Sequence, residues 1–172
     1  GRGRLYAAAV VGSEYIAQYA PAVGYEDVGI FVSQSGETKD VLNALEAAEK
    51  RGMACFGLAN VVGSTLTKAT SFCLPLCCGY EISVPATKTF TNQVVTFLYL
   101  AYRLAGKDTS ELLRIPELME QTIEMVGPQI EAIAKDINEW NDMYCLGYGA
   151  TYPIALEGAL KLKEITYAHC EG

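Results

Sequence analysis

Ser33-Gln34-Ser35-Gly36-Glu37-Thr38 follows the apolar run Val28 to Val32 and precedes a helical pattern from Lys39 to Arg51. Three hydroxyls, an amide and a glycine fall within six residues, where a strand hands over to a helix. A helix N-terminus carries unpaired backbone N–H groups and the positive end of the helix dipole, so it suits a phosphate or another anion. Short hydroxyls add donors without crowding a ligand. Ser35 and Thr38 are equally ordinary helix caps, and at this level both readings stand. Glu37 complicates the first, because a carboxylate repels a phosphate unless it points away. The C-terminal end of this strand is where function is to be sought.

Working outward, apolar runs alternate with helical periodicity. The pattern predicts a helix from Leu5 to Tyr19, a buried strand from Val28 to Val32 and a helix from Lys39 to Arg51. That last helix puts Val41, Leu42, Leu45 and Ala48 on one face and stops at Gly52. Strands are predicted at Met53 to Leu58 and Phe72 to Leu76, a short helix at Ser64 to Ala69, and a long helix at Thr87 to Leu104 before Gly106. Strands separated by helices require crossover connections, hence an α/β fold: a doubly wound, three-layer parallel sheet flanked by helices. From Asp108 to Asn138 the pattern predicts two helices broken near Gly127-Pro128. Met143 to Leu146 predicts a further strand, with a helix after it to about Tyr167. The motif G-x-G-x-x-Y occurs at Gly1 to Tyr6 and again at Gly147 to Tyr152, and its recurrence points to a duplicated unit, the chain looking cut at both ends.

Composition narrows the classes. A hydrophobic content of 51% supports a core, and 19% charged residues argues against disorder. The net charge of −7, without a Lys/Arg stripe, disfavours a nucleic-acid partner. The apolar run Val94 to Leu104 is far shorter than the roughly 20 residues a membrane span needs. No signal-peptide pattern opens the sequence, and no membrane partner is expected. Six cysteines (Cys55, Cys73, Cys77, Cys78, Cys145, Cys170) lack C-x-x-C spacing, and His169 is the single histidine. They read as reduced thiols of a cytoplasmic protein, with no metal site expected.

Four motifs occur together in order: Ser33 to Thr38, Asn60-Val61-Val62-Gly63-Ser64, Glu81 to Thr91 and Tyr152 to Glu164. On these the chain resembles the isomerase half of the glutamine–fructose-6-phosphate aminotransferase family, which consists of two SIS (sugar-isomerase) domains. The resemblance implies a first SIS domain over 1–106, a helical connector over 107–140 and the start of a second SIS domain over 141–172. It implies that Ser33, Gln34, Ser35 and Thr38 bind the phosphate of fructose 6-phosphate and that the backbone near Val84 contacts the sugar. It further implies that Glu164 shuttles a proton between C1 and C2, with Lys161 assisting at O1, and that the product is glucosamine 6-phosphate. No metal or organic cofactor is implied, and a homodimer is. Taken alone, Lys161 and Glu164 at i, i+3 also fit an ordinary helical salt bridge.

The chain departs from the family pattern in places. Arg4-Leu5 stands where the family usually has Thr-Ser, and Ala86 stands at a frequent serine. The segment from Ala20 to Asp27 is short by roughly a strand and a helix. The family's ring-opening histidine, imine-forming lysine and glutaminase domain have no counterpart here. The expectation is a set of ordered parts of a longer protein, with a fragment as the alternative, and a sheet exposing apolar faces. Two other readings stay open: a SIS sugar-phosphate deglycase or deaminase, and a SIS module that binds a sugar phosphate without turning it over.

Overall fold

A computed structural model describes residues 5–172. The chain divides into two compact units, Gly1–Tyr80 with Lys88–Leu98, and Glu81–Thr87 with Tyr99–Gly172.

In the first unit, helix α1 (Gly12–Glu14) runs on into a π-helical turn at Tyr15–Tyr19 and a 3-10 turn at Ala20–Ala22. Strands β1 (Val28–Ser33), β2 (Ala54–Ala59) and β3 (Phe72–Pro75) form a parallel sheet in the order β1-β2-β3. Helix α2 (Lys39–Lys50) connects the first two strands and α3 (Thr65–Ala69) the second two. Right-handed crossovers in that strand order bring both helices to one face of the sheet. Ala44, Leu45 and Ala48 of α2 are buried there with Phe31, Cys55, Ala59 and Leu66. The two alanines let the helix approach the strands closely, and this interdigitation supplies the unit's main hydrophobic stabilisation.

Register decides where the loops emerge. Ser33 pairs with Ala59, and Ala59 with Pro75, so all three strands end on one row. The loops that follow start at the same sheet edge. On the face opposite α2, the row Val32, Leu58, Leu74 lies next to the row Ile30, Phe56, Phe72. Leu58 is 1% exposed, whereas Ile30 is 44% and Phe72 55% exposed. That face is therefore covered near the loops and open at the far end, with Phe56 and Phe72 packed edge to face at 6.5 Å.

The second unit takes the C-terminal part of α4 (Lys88–Ala105), a 3-10 turn at Ser110–Arg114 and the helix α5 (Ile115–Ile137). Strand β4 (Asp142–Tyr144), helix α6 (Tyr152–Thr166) and strand β5 (His169–Glu171) follow. Met143 pairs with Cys170 in parallel, so β4, α6 and β5 make one βαβ unit. Gly147 is required at its turn: a Cβ there would lie 2.4 Å from the Thr151 carbonyl oxygen.

The α/β class with a parallel sheet flanked by helices agrees with the sequence reading. Three local expectations change. Helix begins at Gly12 rather than Leu5, after the stiff β-branched pair Val10-Val11. The first G-x-G motif, with Arg4, lies outside the described residues. Helix α5 runs unbroken through Pro128. Proline excludes helical geometry from its predecessor partly by clashing with that residue's Cβ, and Gly127 has none. No residue of α5 is buried, so the carbonyl that proline leaves unpaired is not trapped in a core. Strand β5 was not read, because three residues carry too little alternation. Among the described residues no helix is long and apolar enough to cross a membrane.

Candidate functional site

Ser33, the last residue of β1, is buried, and its Oγ lies 2.7 Å from Thr38 Oγ1. The Gly36 N–H donates to Ser33 Oγ at 3.0 Å, and the Glu37 N–H to Ser35 Oγ at 3.1 Å. These bonds curl residues 33–38 into a loop braced by its own hydroxyls. Thr38 occupies the N-cap of α2 but makes no side-chain capping bond; the Leu42 N–H donates to its carbonyl. The capping reading of Thr38 therefore fails, since its hydroxyl is turned to Ser33. Gly36 permits the curl: its φ is +70°, and a Cβ there would lie 2.0 Å from Ser64 Oγ.

The carboxylate of Glu37 turns away from the loop toward α3. Its Oε1 accepts the Thr65 N–H at 2.8 Å and its Oε2 the Thr65 hydroxyl at 2.7 Å. Those bonds, the backbone one first, hold its carboxyl below the usual range. The carboxylate of Glu37 is thus aimed away from the loop by a partner 28 residues away, which no local reading could supply.

The loop is tied to its neighbours. The Asn60 N–H donates to the Gln34 carbonyl at 3.0 Å, and the Leu66 N–H to the Gly36 carbonyl at 3.0 Å. Ser33, Gln34, Ser35 and Thr38 are thereby brought together at the sheet edge. Val84 lies in the 81–87 segment and is 90% exposed.

In the second unit, Lys161 Nζ lies 2.6 Å from Glu164 Oε2 and 3.5 Å from Glu157 Oε1. The three side chains are only 20–30% exposed. Burial works against the Lys161 charge, but the bond to Glu164 and the two carboxylates outweigh it and raise its pKa. Glu157 escaped the sequence reading, although its i, i+4 spacing to Lys161 was a legible signal. The predicted pair Lys161–Glu164 is in contact; the third charge was missed.

Other features are placed elsewhere. Among the described residues no group of three or more His, Cys, Asp or Glu could hold a metal ion. None of the six cysteines is in a disulfide. A cavity of about 300 Å³ lines α5 with Ile115, Leu118, Met119, Thr122 and Ile123, and the one hydroxyl there is spent on the Leu118 carbonyl.

Comparison with known proteins places this geometry. The chain is 43% identical over 169 residues to a glutamine–fructose-6-phosphate aminotransferase (isomerizing) of Pyrobaculum aerophilum, covering 94% of this chain and 28% of that protein. It therefore spans less than a third of that relative's length. Among solved structures, the C-terminal domain of glucosamine-fructose-6-phosphate aminotransferase from Francisella tularensis superposes with a TM-score of 0.72 at 28% identity, over 93% of this chain and 53% of that one. A glucosamine-6-phosphate deaminase from Thermotoga maritima gives 0.80 at 25% identity, over 93% and 49%. The family model described as SIS domain matches residues 3–103, more than half of the sequence and all of the β1–β3 sheet with its loops, and the chain belongs to the SIS domain family.

Proposed function

We propose that this chain is the sugar-isomerising part of a glutamine–fructose-6-phosphate aminotransferase. That enzyme joins ammonia from glutamine to fructose 6-phosphate and isomerises the product to glucosamine 6-phosphate. One observation carries the reading. The 33–38 loop presents Ser33, Ser35 and Thr38 ahead of α2, whose cap residue donates no side chain to it, while Glu37 is drawn off to Thr65. An anion meets hydroxyls and a positive helix end there, with the one carboxylate inside the loop, Glu37, engaged by Thr65.

On this reading Ser33, Gln34, Ser35 and Thr38 hold the phosphate, and the Val84 backbone contacts the sugar. Ketose-to-aldose conversion needs a base that removes a proton from the carbon beside a carbonyl or imine and returns it to the neighbouring carbon. Glu164 takes the C1 proton and delivers it to C2, and Lys161, held charged by two carboxylates, assists proton transfer at O1. A first SIS domain over 1–106, a connector over 107–140 and a second SIS domain from 141 make up the division. The enzyme works as a cytoplasmic homodimer without a metal or organic cofactor.

The test is Glu164→Gln in the intact protein, assayed for glucosamine 6-phosphate formation and, by calorimetry, for fructose 6-phosphate binding. Turnover is expected to be abolished with binding within about threefold of the parent. Surviving turnover would overturn the role of Glu164. A deaminase reading is favoured by the Thermotoga maritima neighbour. Ammonia release from glucosamine 6-phosphate, with no incorporation from glutamine, distinguishes it.

A further inference from the structure

Asn60 is the first residue after β2, and it bonds to the chain on both sides of its strand. Its N–H donates to the Gln34 carbonyl in the 33–38 loop. Its side chain grips the loop that follows β3 at two successive residues. Oδ1 accepts the Cys78 N–H at 2.9 Å, and Nδ2 donates to the Gly79 carbonyl at 2.7 Å. A carboxamide is the side chain that offers one acceptor and one donor in this fork. The gripped loop is bent for it: Cys77 has φ +54° and Gly79 φ +66°, both left-handed, on either side of Cys78. Left-handed geometry strains a non-glycine residue such as Cys77, so the bend persists only where surrounding contacts enforce it.

Two further side chains fix the same loop. Asn92 Nδ2 donates to the Leu76 carbonyl at 3.1 Å, and Lys88 Nζ to the Tyr80 carbonyl. Both stand on the first turns of α4 at i, i+4 spacing. Of the three, Asn60 is the one whose residue also bonds the 33–38 loop. Residues 76–80 lead directly into the 81–87 segment that carries Val84.

Resting on the sugar-phosphate reading above, we infer that Asn60 is a positioning residue: it locks the 77–80 loop to the phosphate loop, so that the stretch following β3 is set relative to a bound phosphate. It touches neither the reacting carbons nor the phosphate. The 33–38 loop keeps its own Ser33–Thr38 and Gly36–Ser33 bonds without the Asn60 side chain. Losing the carboxamide therefore affects recognition of the sugar and spares that of phosphate.

The experiment compares Asn60→Ala and Asn60→Asp with the parent protein by calorimetric titration with fructose 6-phosphate and, separately, inorganic phosphate. Amide exchange at Cys78 is followed alongside. In Asn60→Ala, affinity for fructose 6-phosphate is expected to fall at least tenfold, with phosphate affinity changing less than threefold and Cys78 exchange at least tenfold faster. In Asn60→Asp, a carboxylate faces the Gly79 carbonyl at pH 8, and affinity falls. At low pH the introduced acid is protonated and donates as the amide did, so affinity relative to the parent at the same pH recovers. A merely structural role lowers affinity for fructose 6-phosphate and for phosphate alike. Equal losses for both ligands, unchanged binding, or unchanged Cys78 exchange in Asn60→Ala overturn the inference. A parent protein that binds neither ligand overturns the sugar-phosphate reading itself, a different result from a parent that binds both and a variant that binds them equally well.

Discussion

Replacing Gly36 by alanine tests whether the 33–38 loop is built as described. Two independent costs follow from the geometry. A φ of +70° penalises any residue with a Cβ by about 1–2 kcal/mol. The new methyl would also lie 2.0 Å from Ser64 Oγ and 2.6 Å from Ser64 Cβ. Rotating the Ser64 hydroxyl relieves the first contact but not the second, because Cβ is fixed to the backbone. Ser64 is 5% exposed and stands at the N-cap position of α3, so it has little room to retreat. Overpacking of this kind costs about 1–3 kcal/mol, giving a total of about 2–5 kcal/mol. At a urea slope of about 2 kcal/mol/M the midpoint falls by about 1–2.5 M. Because the chain has two compact units, amide exchange at β1 and β2 should accompany the optical transition, so that the first unit is read by itself. The double variant Gly36→Ala/Ser64→Gly, compared with Ser64→Gly alone, removes the contact and retains the φ cost. It should recover the overpacking share and leave about 1–2 kcal/mol. A Gly36→Ala midpoint within about 0.5 M of the parent would refute the described curl. A Gly36→Ala cost as large in the Ser64→Gly background as in the parent would refute the Ser64 contact.

Three further outcomes follow from the same coordinates. Leu58→Ala empties a position that is 1% exposed and should cost about 2–5 kcal/mol by urea denaturation. Glu37 has a folded-state pKa held below its unfolded value by its bonds to Thr65. Its contribution is therefore present above the unfolded pKa and lost as pH falls through the folded one; Glu37→Gln should flatten the thermal midpoint's acid limb below about pH 4.5. In a timed alkylation read by mass spectrometry, exposed Cys77 should label before buried Cys55 and Cys170, whose thiols burial pushes up.

The sheet was legible because its signals are local. Val28 to Val32 is β-branched and apolar, Lys39 to Arg51 has one apolar face, and each is closed by a turn residue, so the run of strand, helix and strand reads directly. The polar loop 33–38 was legible for the same reason. What escaped depends on partners distant in sequence. Glu37 finds Thr65, and Asn60 finds Cys78 and Gly79, only after the strands register so that Ser33, Ala59 and Pro75 end on one row. The break assigned to Gly127-Pro128 failed for a local reason of its own, since the rule that proline ends helices counts its predecessor's Cβ, and glycine has none. Glu157 was missed through attention to i, i+3 alone.

The proposed role of Lys161 and Glu164 has to be weighed against an ordinary helical ion pair, and this chain contains its own controls. Lys50–Glu46 and Lys135–Glu131 share the i, i+4 spacing, at 2.6 and 2.9 Å, with every side chain 65–73% exposed. Such pairs are solvated, contribute little, and need no functional account. The group on α6 differs in two respects. Its side chains are 20–30% exposed, so each charge has given up part of its hydration. It also sets two carboxylates against one ammonium, leaving an unbalanced negative charge in a less polar setting. Neither feature favours stability, since desolvation offsets the Coulomb gain of buried pairs. Both suit proton transfer. A base that accepts a proton loses its charge, and in a simple pair its lysine would be left buried without a counterion. In the proposed role, Glu157, at 3.5 Å, would keep Lys161 paired while Glu164 carried the proton. The surplus carboxylate, awkward for a structural salt bridge, is what that proposed role would require.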